Sequence, residues 1–90
     1  MHVESFKVFC DLVETSSFSA AAERNGVTQS AVSQQIKTLE NYYDVLLVER
    51  GRRNFSVTPE GEVFLKAARV ILDAWNEIGT QLEEMRDVVA

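Results

Sequence analysis

Apolar side chains recur along this chain first at helical spacing, then in two short runs, then at helical spacing again. Val3, Phe6, Phe9, Cys10 and Val13 predict an amphipathic helix from Val3 to Thr15 with that stripe toward a core. Ser16-Ser17 ends it, and Ser17 or Ser19 can cap a short, small-sided helix over Ala20 to Arg24. Asn25-Gly26 tolerates the left-handed conformation that terminates a helix. Thr28 is the natural N-cap of a third helix running to about Tyr42. Val32, Ile36, Leu39 and Tyr43 fall on one face of it. Ser30, Ser33, Gln34, Lys37 and Asn41 fall on the other, with Gln29 at the exposed first turn. Leu46-Leu47-Val48 and Phe55-Ser56-Val57 flank Gly51-Arg52-Arg53-Asn54, which predicts a β-hairpin.

The last segment opens with Thr58-Pro59-Glu60-Gly61-Glu62: an N-cap, a proline suited to the first helical position and acids at the positive end of the helix dipole. No proline follows, so a helix of nearly 30 residues, about 45 Å long, is expected. Phe64, Ile71, Ile78 and Met85 are spaced by sevens, and so are Ala68, Trp75, Leu82 and Val89. Interleaved, they form a coiled-coil seam. The first turns can pack on the domain core, but Trp75 to Val89 would then stay uncovered, and an apolar seam left in water is an aggregation hazard. Self-association through this helix is therefore expected. The predicted fold is mainly α: a winged helix-turn-helix of three helices plus a short β-hairpin wing over residues 1–58, then a long dimerisation linker helix over 59–90.

A helix-turn-helix can lay its second helix in the DNA major groove. A merely solvated face is usually built from Lys and Glu. Gln29, Ser30, Ser33 and Gln34 instead offer uncharged groups that both donate and accept, as base edges require. Arg52 and Arg53 at the hairpin tip read either as ordinary solvated turn residues or as a wing aimed at phosphates or a narrow minor groove, and the neighbouring helix-turn-helix favours the wing.

Net charge complicates that picture. The chain carries 9 bases against 14 acids, for −5, where nucleic-acid binders are commonly basic. The distribution matters more than the sum. Residues 28–58 hold Lys37, Arg50, Arg52 and Arg53 against Glu40, Asp44 and Glu49, the only net-positive third. The acidic excess lies mainly in the last third, on the long helix. Composition is otherwise that of an ordinary globular protein, 46% hydrophobic and 26% charged. A single cysteine rules out an internal disulfide and a Cys-rich zinc site, and Cys10 reads as a small buried hydrophobe. A Cys10–His2 catalytic pair has no third member. No cofactor is expected. There is no apolar run of transmembrane length and no signal-peptide pattern, so an intracellular, cytoplasmic location is expected.

The chain resembles the N-terminal region of LysR-type transcriptional regulators. The resemblance rests on Ser17-Phe18-Ser19-x-Ala21-Ala22, on Thr28-Gln29-Ser30-Ala31-Val32-Ser33-x-Gln35-Ile36-x-x-Leu39-Glu40, and on Leu46-Leu47-x-Glu49-Arg50, followed in order by Gly51-Arg52-Arg53 and Thr58-Pro59-x-Gly61. It implies a dimer, paired antiparallel through the linker helix, on a partly palindromic double-stranded operator. It implies base contacts from Gln29, Ser30, Ser33 and Gln34, with Ala31 or Val32 near thymine methyls. Phosphate contacts would come from Thr28, Lys37, Arg50, Arg52 and Arg53, although the Arg50 stem could equally pack on the hairpin. The dimer seam would be Phe64, Ala68, Ile71, Trp75, Ile78, Leu82, Met85 and Val89. A small-molecule effector would act only through a C-terminal domain beyond this sequence, so an isolated fragment or a truncated relative is expected. Departures from the family pattern are Gln34 for a common Arg, Asn25 for Leu, Asp44 for Gly and Val48 for Phe. Gln34 shifts the expected base preference from guanine toward adenine and should make the salt dependence shallower. The competing reading is a protein-interaction module on the same scaffold, favoured by the acidic total. An enzyme is a distant third, since no nucleophile–base or metal constellation exists.

Overall fold

A computed structural model describes residues 2–51 and 55–89, with side chains up to residue 86. The elements are α1 (Val3–Thr15), α2 (Phe18–Asn25), α3 (Gln29–Tyr43), β1 (Val48–Arg50), β2 (Phe55–Val57) and α4 (Pro59–Val89). Arg52 and Arg53 of the expected wing, and the side chain of Val89, lie outside the described residues.

Local chemistry sets the helix ends. Ser17, rather than Ser19, caps α2, its Oγ accepting the Ala20 N–H at 3.0 Å. Gly26 at φ 62° closes α2, with the Gly26 N–H donating to Glu23 O and the Val27 N–H to Ala22 O. These bonds satisfy carbonyls that the helix end leaves free. Thr28 caps α3 by accepting the Ala31 N–H at 3.0 Å. Asp44 ends α3 at φ 55°, a backbone state that a glycine adopts without strain, which is the physical content of that departure.

α1 is the central helix, packing on α2, α3 and α4. It therefore buries more than one stripe. Val8, Phe9 and Leu12 are fully enclosed with Ser5, whereas Phe6, Cys10 and Val13 of the expected stripe are half-buried at the rim. Ala21 and Ala22 of α2 and Val32, Ile36 and Leu39 of α3 complete the core with Leu47, Val48 and Leu65. Tyr43 departs from its expected place. Its ring remains exposed, set edge-on between Tyr42 and Phe64, because the last turn of α3 reaches α4 and not the core.

The first strand also differs from expectation. It begins at Val48, and Leu46 points into solvent. The reason is that the backbone of Leu46-Leu47 is committed elsewhere. The Leu47 N–H donates to Glu40 Oε2 at 2.8 Å, Leu47 O accepts the Thr58 N–H at 3.1 Å, and Leu46 O accepts the Thr58 hydroxyl. Antiparallel pairing then joins Val48 to Val57, Glu49 to Ser56 and Arg50 to Phe55.

Thr58 also caps α4, its Oγ1 accepting the Gly61 N–H at 2.9 Å. Gly61 is required by packing. A Cβ there would stand 2.1 Å from Leu47 O and 2.7 Å from Val57 Cγ1. Phe64 stacks on Phe6 at 5.5 Å and meets Phe9 edge-on at 5.2 Å, and Leu65 and Ala68 are buried beside it. Beyond Ala68 the 31-residue helix leaves the body, giving a molecule 56 Å long and only 24 by 19 Å across.

Candidate nucleic-acid interface

The short turn between α2 and α3 brings the polar face of α3 to the surface. Thr28, Gln29, Ser30, Gln34, Lys37 and Asn41 are exposed there, and Ser33 is partly buried. All four expected base-reading residues thus lie together at the start and middle of one helix. The cap uses only a lone pair of the Thr28 hydroxyl, leaving its proton for an external acceptor.

Arg50 is the cation that the hairpin adds to this face. Its guanidinium lies over the Phe18 ring, 4.7 Å from the centroid, and donates to Ser33 Oγ. Phe18 meets Phe55 edge-on at 5.4 Å. The Arg50 stem therefore packs within the domain while its head stands beside the polar face of α3. An open groove of about 990 Å³ runs between α3 and β1, lined by Ser33, Gln34, Lys37, Thr38, Asn41 and Arg50 among others. Among the described residues its cations are Lys37 and Arg50, and Glu49 is the exposed acid on the strand side.

Glu40 is a positioning residue that the sequence did not single out. Its Oε2 accepts the N–H groups of Leu47 and Val48 at 2.8 and 3.3 Å. A carboxylate on α3 thereby sets where the hairpin starts, and Thr58 fastens the same residues to α4. Glu40 stood in the family motif without a role, and so did Phe18, now seen as the platform for Arg50.

Asn25 shows what replaces a usual leucine. Its Nδ2 donates to Asp11 Oδ2 at 2.9 Å and to Ala21 O at 2.8 Å, and its Oδ1 accepts from Lys7. Asp11 also binds Lys7 at 2.8 Å and Arg24 at 3.3 Å. Burial pulls the Asp11 carboxyl upward, but the bonds from Lys7, Asn25 and Arg24 outweigh it and hold it below the usual carboxylate range. Asn25 thereby ties α2 to α1 through polar contacts.

Burial pushes the Cys10 thiol up, which keeps it protonated at neutral pH. Among the described residues no group of His, Cys, Asp and Glu could hold a metal ion, and no helix is long and apolar enough to cross a membrane. The acids Glu60, Glu62, Asp73, Glu77, Glu83 and Glu84 are exposed along α4.

A family described as bacterial regulatory helix-turn-helix protein, lysR family, matches residues 3–62. The chain belongs to the LysR family. It is 43% identical over 75 residues, 83% of its length, to an uncharacterized HTH-type transcriptional regulator of Methanocaldococcus jannaschii. It spans about a quarter of the length of the curated relatives it matches. Among solved structures it is similar to the BenM_DBD/catB site 1 DNA complex, with a TM-score of 0.88 and 30% identity over 94% of this chain and 96% of that one. It is likewise similar to the CbnR_DBD–DNA complex, with a TM-score of 0.85 and 32% identity over 94% and 98%. The fold is therefore a LysR-type winged helix-turn-helix with a long C-terminal helix, and the matched relatives are regulators, not enzymes.

Proposed function

We propose that this LysR-type domain binds double-stranded DNA sequence-specifically as a homodimer, as the DNA-binding part of a transcriptional regulator. The observation that carries the reading is the exposed Gln29-Ser30-Ser33-Gln34 face beside Arg50, on a fold shared with two protein–DNA complexes. Gln29, Ser30, Ser33 and Gln34 contact base edges in the major groove. Thr28, Lys37 and Arg50 serve phosphates, together with Arg52 and Arg53 on sequence grounds. Residues 1–58 form the reading head and 59–90 the linker. Binding DNA places the protein in the cytoplasm, and any small-molecule effector belongs to a further domain of the LysR type.

Dimerisation is supported by the uncovered seam of Ile71, Trp75, Ile78, Leu82 and Met85. Phe64 and Ala68 of the expected seam are largely taken up inside the chain, so the free surface begins at Ile71. It continues into an apolar concavity of about 450 Å³ lined by Phe6, Tyr43, Val45, Val63 and Phe64.

The test is a pair of substitutions on the reading face. Ser33→Ala and Gln34→Ala are each expected to weaken binding to a selected site by ~1–3 kcal/mol, and binding to random duplex by much less. Equal losses on both duplexes would remove base reading from this helix.

A further inference from the structure

Arg50 is held from three sides. Its guanidinium covers Phe18 of α2, donates to Ser33 of α3, and belongs to a strand position paired with Phe55 of β2. A guanidinium carries donors and no acceptor. At this contact Ser33 Oγ can only accept. Threonine hydroxyls within the helices turn their proton back on the backbone, Thr15 donating to Asp11 O at 2.7 Å and Thr38 to Gln34 O at 2.9 Å. Among the described residues no acceptor takes the Ser33 proton.

We infer that Arg50 is a positioning residue that sets the polarity of Ser33, so that Ser33 reads its base as a hydrogen-bond donor. The inference rests on the proposed base contact by Ser33. A free serine hydroxyl donates or accepts and therefore suits any base. With Arg50 on the oxygen, one lone pair is occupied and the hydroxyl proton is left for the groove. The positive charge beside it also repels the amino hydrogens of a cytosine. Ser33 then selects purine N7, guanine O6 or thymine O4 and disfavours the cytosine amino group. Specificity at this position thus comes from a strand residue that need not touch the base.

The experiment uses the 90-residue chain and a selected duplex in which each position of the half-site carries each base pair in turn. The pair facing Ser33 is the one whose ranking changes in Ser33→Ala. The unaltered chain should bind the cytosine-facing duplex roughly fivefold to tenfold more weakly than the best one. Arg50→Lys keeps a charge but loses the planar fork and the ring stacking. It should reduce that discrimination to less than twofold while leaving the ranking at other positions unchanged, and adding Ser33→Ala to it should change the ranking no further. Full discrimination in Arg50→Lys, with Ser33→Ala still abolishing it, overturns the inference and leaves base reading by Ser33 intact. Equal weakening on all four duplexes, with their ranking unchanged, overturns it and leaves Arg50 its proposed phosphate contact alone. If Ser33→Ala alters no ranking, the base contact itself fails and the inference fails with it. Phe18→Leu removes the platform but neither polar group, and it decides the matter if Arg50→Lys does not fold. Part of the discrimination should then be lost, and a ranking identical to that of the unaltered chain overturns the inference.

Discussion

α3 and the distal half of α4 are both amphipathic helices with apolar residues at helical spacing, yet their stripes meet opposite fates. Leu39 on α3 is 0% exposed, whereas Leu82 on α4 is 60% exposed. Val32, Ile36 and Leu39 close against α1 and α2 within the same chain. Trp75, Ile78 and Leu82 extend past the end of the body, where none of the described elements of this chain reaches them. Periodicity specifies that a face must be covered. Chain length and the position of neighbours decide whether the cover is internal. The first turns of α4 belong to the body through Phe64, Leu65 and Ala68, so the change from core to free seam falls within one continuous helix.

The two helices should differ most under the same substitution. Leu39→Ala is expected to cost about 4 kcal/mol in denaturant unfolding, because the cavity is enclosed on all sides. Leu82→Ala should lower the stability of dilute monomer by less than about 0.5 kcal/mol, its effect surfacing only as a weaker dependence of Tm on protein concentration. Similar losses at both sites in dilute protein would show that α4 is covered internally after all. Gly61→Ala tests the junction between the regions. Its methyl would run into Leu47 O and Val57 Cγ1, and a loss of about 3 kcal/mol in thermal unfolding is expected; an unchanged Tm would mean that the hairpin yields freely. Trp75→Asp puts a charge in the seam. Sedimentation should show monomer, with Kd for self-association raised at least about 100-fold, equivalent to roughly 2.7 kcal/mol, and a persisting dimer would relocate the interface.

The smallest effect is expected in the polar clasp of the body. The Asp11 carboxyl has a folded pKa below its unfolded one. Its contribution is therefore complete above the unfolded value of about 3.9 and is lost as pH falls through the folded value. Asp11→Asn should cost under about 1 kcal/mol at pH 7, and the cost should shrink as pH falls through the folded value. A penalty independent of pH would assign Asp11 a packing role instead of a charged one.

Much of this architecture was legible residue by residue because its causes are local. The bounds of α1, the caps at Thr28 and Thr58, the turn at Gly26 and the polarity of α3 each depend on side chains within a few positions, whereas the choice of Ser17 over Ser19, and with it the start of α2 at Phe18, was left open. The uncovered seam was legible too, since a sustained heptad pattern persists whatever lies beside it. The face of α1 was not, because a helix with three neighbours buries more than its most apolar stripe. Nor was the start of β1: Leu46-Leu47-Val48 looks like a strand until Glu40 and Thr58 claim the backbone of its first two residues. The existence and order of the helices, the helix-ending turn at Gly26 and the polar face of α3 follow from the amino-acid sequence alone, because hydrogen bonding and periodicity within a helix turn require nothing from afar. Only the tertiary structure decided that Asn25 would join Asp11, that Gly61 must have no Cβ, and that Arg50 would settle on Phe18 and Ser33. Those contacts join residues far apart in the chain, and they exist only once the helices and hairpin have packed.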